Sequence, residues 1–195
     1  MRPSLERLES RDCPTLVVGG ARAADVVQGQ WADCAFEATL ASAASQGVDL
    51  LSRLHHIRPH VWHVDLYAPR TGLPVSVAVY SGAMRGELWP QLYATAHLLI
   101  APWARVRGES LEVTSAILFG RSPGADDSVR DVGLQAIRAA LSRGSVVVCC
   151  SDYHAYAVLR LTADTAWLYD PWGFVRRMPA GAFLRKPFEV VIVAS

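Results

Sequence analysis

The chain has 195 residues, 51% of them hydrophobic and 19% charged, with 19 Lys+Arg against 18 Asp+Glu and a net charge of +1. That length is enough for one domain with a substantial core, and the balanced charge excludes a global field steering the protein to nucleic acid or anionic lipid. Disorder is excluded by the hydrophobic fraction, and no apolar run nears the ~20 residues of a membrane-spanning helix.

Residues 1–24 read as an N-terminal tail, followed by one domain over 25–195. Arg2, Glu6, Arg7, Glu9, Arg11 and Asp12 break up any continuous apolar stretch of secretory type. Residues 5–14 resemble the LE-x-R-x-x-P segments at the start of some bacterial proteins, a few of them exported. The default expectation is therefore cytoplasmic, with export left open.

The pattern over 34–46 predicts a helix, with Ala35, Phe36, Ala38, Leu40, Ala41 and Ala44 on a wide apolar face and Asp33 as N-cap. A short second helix is expected over 49–56. Strands at 60–68 and 74–80 follow, joined by a turn containing Pro69, Thr71 and Gly72. Helical patterns span 87–100 and 109–119, the latter stopped by Gly120. A loop at 122–125 leads to an amphipathic helix over 127–142, with Asp126 and Asp127 as its expected cap and Gly144 as its stop. Strands at 146–150, 154–161, 166–169, 174–178 and 188–193 complete the chain. Helices dominate the first part and strands the last, which predicts an α+β class rather than a doubly wound sheet.

Cys13, Cys34, Cys149 and Cys150 make neither a disulfide framework for this length nor a paired metal knuckle. Cys149 and Cys150, inside an apolar strand, read as buried free thiols. Cys34 differs, because a cysteine in the first turn of a helix meets free backbone amides and the positive end of the helix dipole. A thiolate nucleophile needs a base, and the base needs an orienting acceptor. His154 and Asp170 lie on adjacent predicted strands, 16 residues apart, a gap that fits strand, turn and returning strand. Gln28 and the Cys34 backbone N–H are candidate donors to an oxyanion.

Gln28-Gly29-Gln30-Trp31-Ala32-Asp33-Cys34 resembles the nucleophile segment of calpain-type cysteine peptidases, which usually reads Gln-Gly-x-x-Gly-Asp-Cys-Trp. His154-Ala155-Tyr156 resembles that family's His-Ala-Tyr strand, and Asp170-Pro171-Trp172-Gly173 its Asn-Pro-Trp-Gly turn. Between them, residues 86–92 and 111–120 resemble two further helical segments of the family, so the likeness runs from about Val26 to Phe174. It implies a papain-like fold, with a helical lobe carrying the cysteine and a β-rich lobe carrying the histidine. It implies Gln28 as oxyanion donor, Cys34 as nucleophile, His154 as general base and acid, and Asp170 in place of the orienting Asn. Trp31 and Trp172 are implied at the walls of the cleft. The chain departs from the family at Ala32, Ala35 and Asp170, and a carboxylate at 170 should raise the histidine pKa and favour an ion pair.

His55, His56, His60 and His63 form a cluster that reads as surface or packing rather than as a zinc site. The expectation is a cysteine endopeptidase acting on protein or peptide substrate through an acyl-enzyme on Cys34. It includes no cofactor, metal, nucleic-acid or membrane partner, and it leaves the oligomeric state open. The alternatives are a catalytically silent calpain-like module that binds peptide or protein, and a Cys-His-Asp acyltransferase or amidase.

Overall fold

The computed structural model describes residues 16–82, 84, 87–121, 127–151 and 154–194. Most of the expected N-terminal tail, with Cys13, lies outside the described residues, as do Gly86, the loop over 122–125 and Asp126 of the expected cap. Within the described part, Leu16, Val17, Ala21 and Ala23 already pack against the core, and the Trp89 amide donates to the Leu16 carbonyl.

Helix α1 (Cys34–Ser45) is the centre of the fold. Residues 35–44 are all buried, and most are Ala, Ser or Thr, small enough for a sheet to approach closely. Its hydroxyl groups are satisfied. Ser42 Oγ donates to the Val147 carbonyl and accepts from the Val147 amide, both at 3.0 Å, while Thr39 bonds the Ala35 carbonyl and Thr114. Phe36 and Leu40 are fully buried, each worth about 1.5–3 kcal/mol of transfer free energy.

On one side lie β1 (Leu54–Arg58), β2 (Val61–Tyr67) and β3 (Pro74–Tyr80), an antiparallel sheet in that order. Helices α2 (Leu88–Ile100) and α4 (Leu111–Phe119) pack between this sheet and α1, with the single-turn α3 (Ala104–Arg107) joining them. On the other side is a six-stranded antiparallel sheet. It is built from β4 (Asp127–Ser128), β5 (Val146–Ser151), β6 (His154–Leu161), β7 (Thr165–Asp170), β8 (Phe174–Pro179) and β9 (Glu189–Val193), in the order β4-β9-β5-β6-β7-β8. Strand alternation divides β5 between two cores: Val146 and Val148 join the cluster around α1, whereas Val147 and Cys149 join one under α5 (Val129–Ser142) and α6 (Ala180–Arg185). The chain is a mixed α+β domain with antiparallel sheets. Among the described residues no helix is long and apolar enough to cross a membrane.

Three local expectations are corrected. Residues 49–56 do not form a helix. A 3-10 turn (Leu51–Arg53) leads into β1, because Leu54 pairs with Val64 and His55 bonds Asp65 at 2.7 Å, non-local contacts that outweigh a weak helical pattern. The long helix begins at Val129. Asp127 is taken into β4, and the cap is Ser128, whose hydroxyl accepts from the Asp131 amide. Gly133, at φ 77° and ψ 151°, interrupts that helix in a conformation that disfavours residues with a Cβ. Helices α3 and α6, with four and six residues, are too short to show a periodic signal.

Candidate active site

Cys34, half-buried, opens α1 on a cleft of about 660 Å³ that Gln28, Ala32, Ala35, His154 and Trp172 also line. At the first helical position its backbone N–H has no intrahelical acceptor, so it points as a donor toward this end of the helix. The small Ala35, where the resemblance would have a Trp, keeps the wall beside the sulfur open.

His154 is the first residue of β6. Ala157 pairs with Tyr169, so the antiparallel register sets Asp170 diagonal to His154 on the same face. His154 Nε2 lies 2.8 Å from Asp170 Oδ1. The Cys34 thiol stands against the same imidazole, and with Nε2 engaged by Asp170 the ring nitrogen left for the sulfur is Nδ1. Tyr156 and Trp172 each meet the imidazole edge-on, at centroid separations of 4.9 and 6.2 Å, and restrict its rotation. The His154 pKa is raised, chiefly by Cys34 and also by Asp170, against an opposing effect of burial.

Asp170 is 1% exposed and fully partnered. Oδ1 also accepts from the Trp172 amide at 3.1 Å, and Oδ2 accepts from Arg176 Nε at 2.9 Å. Burial alone would raise its pKa, but the bonds from His154, Trp172 and Arg176 outweigh burial and hold it below the usual carboxylate value. Arg176 was not singled out in the sequence. Its place follows from the β7–β8 register, in which Asp170 opposes Phe174, so residue 176 shares Asp170's face one step along. The guanidinium lies over the Phe174 and Tyr156 rings at 4.9 and 5.6 Å.

The expected oxyanion donor is differently engaged. The Gln28 amide nitrogen donates to the Trp31 carbonyl at 2.7 Å, within its own loop, and Oε1 is buried without a partner. The backbone there is tied across the cleft, Gln28 N to Pro171 O at 2.7 Å and Tyr169 Oη to Val26 O at 2.7 Å. Asp33 occupies the N-cap position of α1, yet its side chain makes no capping bond, contrary to expectation. Trp31 does not line the Cys34 cleft. Side chains along this loop fall to both sides of it, and Trp31 falls on the side away from the sulfur, whereas Trp172 does line the cleft, 68% exposed.

Gly108, at φ 69°, closes the cleft from the α3–α4 side, and a Cβ there would lie 3.3 Å from the Ala32 carbonyl. Next to it, Glu109 lines the cleft and bonds the fully buried His97 at 2.6 Å, with His97 stacked on Phe36 at 4.0 Å. Neither residue was singled out in the sequence, and a lone Glu and a lone His far apart carry no pattern to find them by. Of the histidine cluster, His55 bonds Asp65, His56 packs on Trp62 and His60 meets the Tyr80 ring. Among the described residues no group of three or more His, Cys, Asp or Glu is placed to hold a metal ion.

No protein-family model and no curated protein matches this chain.

Proposed function

We propose that the chain is a small calpain-like cysteine peptidase of papain-like fold, hydrolysing peptide bonds through an acyl-enzyme on Cys34. The observation that carries this reading is one alignment, Cys34 against His154 and His154 hydrogen-bonded to Asp170, opening on a cleft at the start of a buried helix. A thiol, a base and an orienter in that order are what acyl transfer requires.

In this mechanism His154 Nδ1 takes the Cys34 proton, and the sulfur attacks the peptide carbonyl. The imidazolium, held by Asp170, then gives that proton to the leaving amine. Water, deprotonated by the same nitrogen, releases the acyl group. Asp170 keeps Nε2 protonated and the ring in plane, and Arg176 keeps Asp170 ionised. The developing oxyanion meets the Cys34 backbone N–H, joined by the Gln28 amide once it turns from the Trp31 carbonyl into the cleft.

The test is covalent labelling with an epoxysuccinyl thiol-protease inhibitor, read by mass spectrometry of the peptides. One adduct on Cys34, abolished in His154→Ala, is the expected outcome. A protein that stays unlabelled while its peptides bind would instead favour the silent module.

Gln28→Ala should lower turnover by about 10²-fold with the melting temperature little changed, the range seen for a single oxyanion donor. Steady-state kinetics on a fluorogenic peptide checks this. Full activity in the variant would leave backbone amides as the oxyanion hole.

A further inference from the structure

The loop that leads to Cys34 separates two cavities. Gln28, Ala32 and Cys34 face the cleft, whereas Asp25, Val27, Gly29, Trp31 and Asp33 face a second cavity of about 550 Å³. Its far wall is formed by Glu37 of α1 and by Glu87 and the residues of α2 that follow.

Four carboxyl groups therefore line one space: Asp25, Asp33, Glu37 and Glu87. Asp33 Oδ1, Glu37 Oε2 and Glu87 Oε2 are buried there without a hydrogen-bond partner, and Asp33 and Glu37 are only 3% and 2% exposed. Among the described residues none of the four forms an ion pair with Lys or Arg. Orphaned carboxyl oxygens in a buried wall are costly, and they persist where something satisfies them. Asp33 shows the same thing from another side, since an N-cap aspartate that leaves the helix amides uncapped has its carboxyl directed elsewhere. The groups are not gathered as metal ligands are. Trp31 also lines this wall, and its ring is already paired with one guanidinium from outside the cavity, Arg105 at 5.6 Å from the centroid.

We propose that this cavity binds an organic cation, a guanidinium or ammonium head group, with Asp33, Glu37 and Glu87 as acceptors and Trp31 as its aromatic wall. The site is distinct from the catalytic cleft and does not depend on the peptidase reading.

The site also predicts a proton signature. Burial raises the Asp33 carboxyl, partly offset by its own amide and by Gln28, and raises Glu37 well above its ordinary value, with Asp33 adding to that rise. The other groups facing this pair are Asp25 and Glu87 across the cavity, His97 and Glu109 beside Asp33, and Tyr169 near Glu37, with Arg105 over Trp31 outside. A cation is held by the ionised form, so binding releases protons and tightens as pH rises above the ordinary carboxylate range, through the raised values of this pair.

The experiment is isothermal titration of the full chain with N-acetyl-arginine methylamide, with putrescine, and with the neutral, isosteric citrulline derivative. We expect at least one cation to bind at least about tenfold more tightly than citrulline, with proton release seen in buffers of different ionisation enthalpy. Glu37→Gln and Glu87→Gln should each weaken that binding at least about tenfold, with thermal melts showing both variants folded. Saturation by the arginine derivative alone assigns the site to a basic peptide side chain, and by putrescine alone to a free diamine; either supports the proposal. Equal binding of citrulline, no binding of either cation, undiminished affinity in both variants, or displacement of the amines by calcium would overturn it.

Discussion

Asp170→Ala should lower peptide hydrolysis by about 10³–10⁴-fold, because His154 loses the acceptor that fixes its tautomer and Arg176 loses its anion. The more informative variant is Asp170→Asn. The amide oxygen can replace Oδ1 against His154 and the Trp172 amide, but the NH2 group then faces the Arg176 N–H, donor against donor. Asparagine, the residue of the resembling family, should therefore cost about 10–10²-fold here. Adding Arg176→Ala to the Asp170→Asn variant should recover about tenfold, a coupling that a double-mutant cycle of kcat/KM measures directly. A coupling of that size would make Arg176 the physical reason for an aspartate at this position.

The pH profile adds a sign. Asp170 raises the His154 pKa, so removing its charge lets the imidazolium lose its proton at lower pH, and the alkaline limb of activity moves down. Arg176 helps hold the Asp170 pKa below the usual value, so Arg176→Ala alone lets Asp170 protonate at higher pH, and the acid limb moves up. Limbs that stay in place in both variants would reduce the proposed triad to a Cys34–His154 dyad.

The second large effect concerns stability. His97 and Glu109 are 0% and 2% exposed, bonded at 2.6 Å, and each has one further polar atom buried without a partner, His97 Nδ1 and Glu109 Oε1. Removing one member strands the other in the core beside Phe36. His97→Ala or Glu109→Ala should therefore cost about 3–5 kcal/mol, or roughly 6–20 °C in melting temperature for a chain of this size. Replacing both by leucine should return most of that loss, since a buried polar pair is little more stable than an apolar one. Calorimetry on the two single variants and the double variant decides it. If the double variant melts as low as either single one, packing against Phe36 rather than the polar bond is what the pair contributes.

The candidate site was legible in the sequence because its parts are local. A cysteine opening a small-residue helix, a histidine opening a strand and an aspartate in the turn at the end of the next strand are each written in a few consecutive residues, and hairpin register brings the last two together. The same holds for α1, β3 and β6, whose patterns are long and whose ends are marked by Gly, Pro or a change of period. An α+β class with the strands of one sheet gathered late in the chain follows from that order alone.

What only the tertiary structure decided is how the polar groups are shared. Arg176 on Asp170 depends on the register of β8, Glu109 on His97 joins a loop to a helix, and β1 forms only because β2 lies beside it. The side to which Trp31 and Asp33 fall, away from the cleft and into an acidic cavity, depends on the path of the backbone between two cross-cleft hydrogen bonds. Local pattern reports which face of an element is apolar. It does not report which charge meets which, because those pairings are set by contacts between residues far apart in the chain, and leaving a buried polar group unpaired costs more than local propensity is worth.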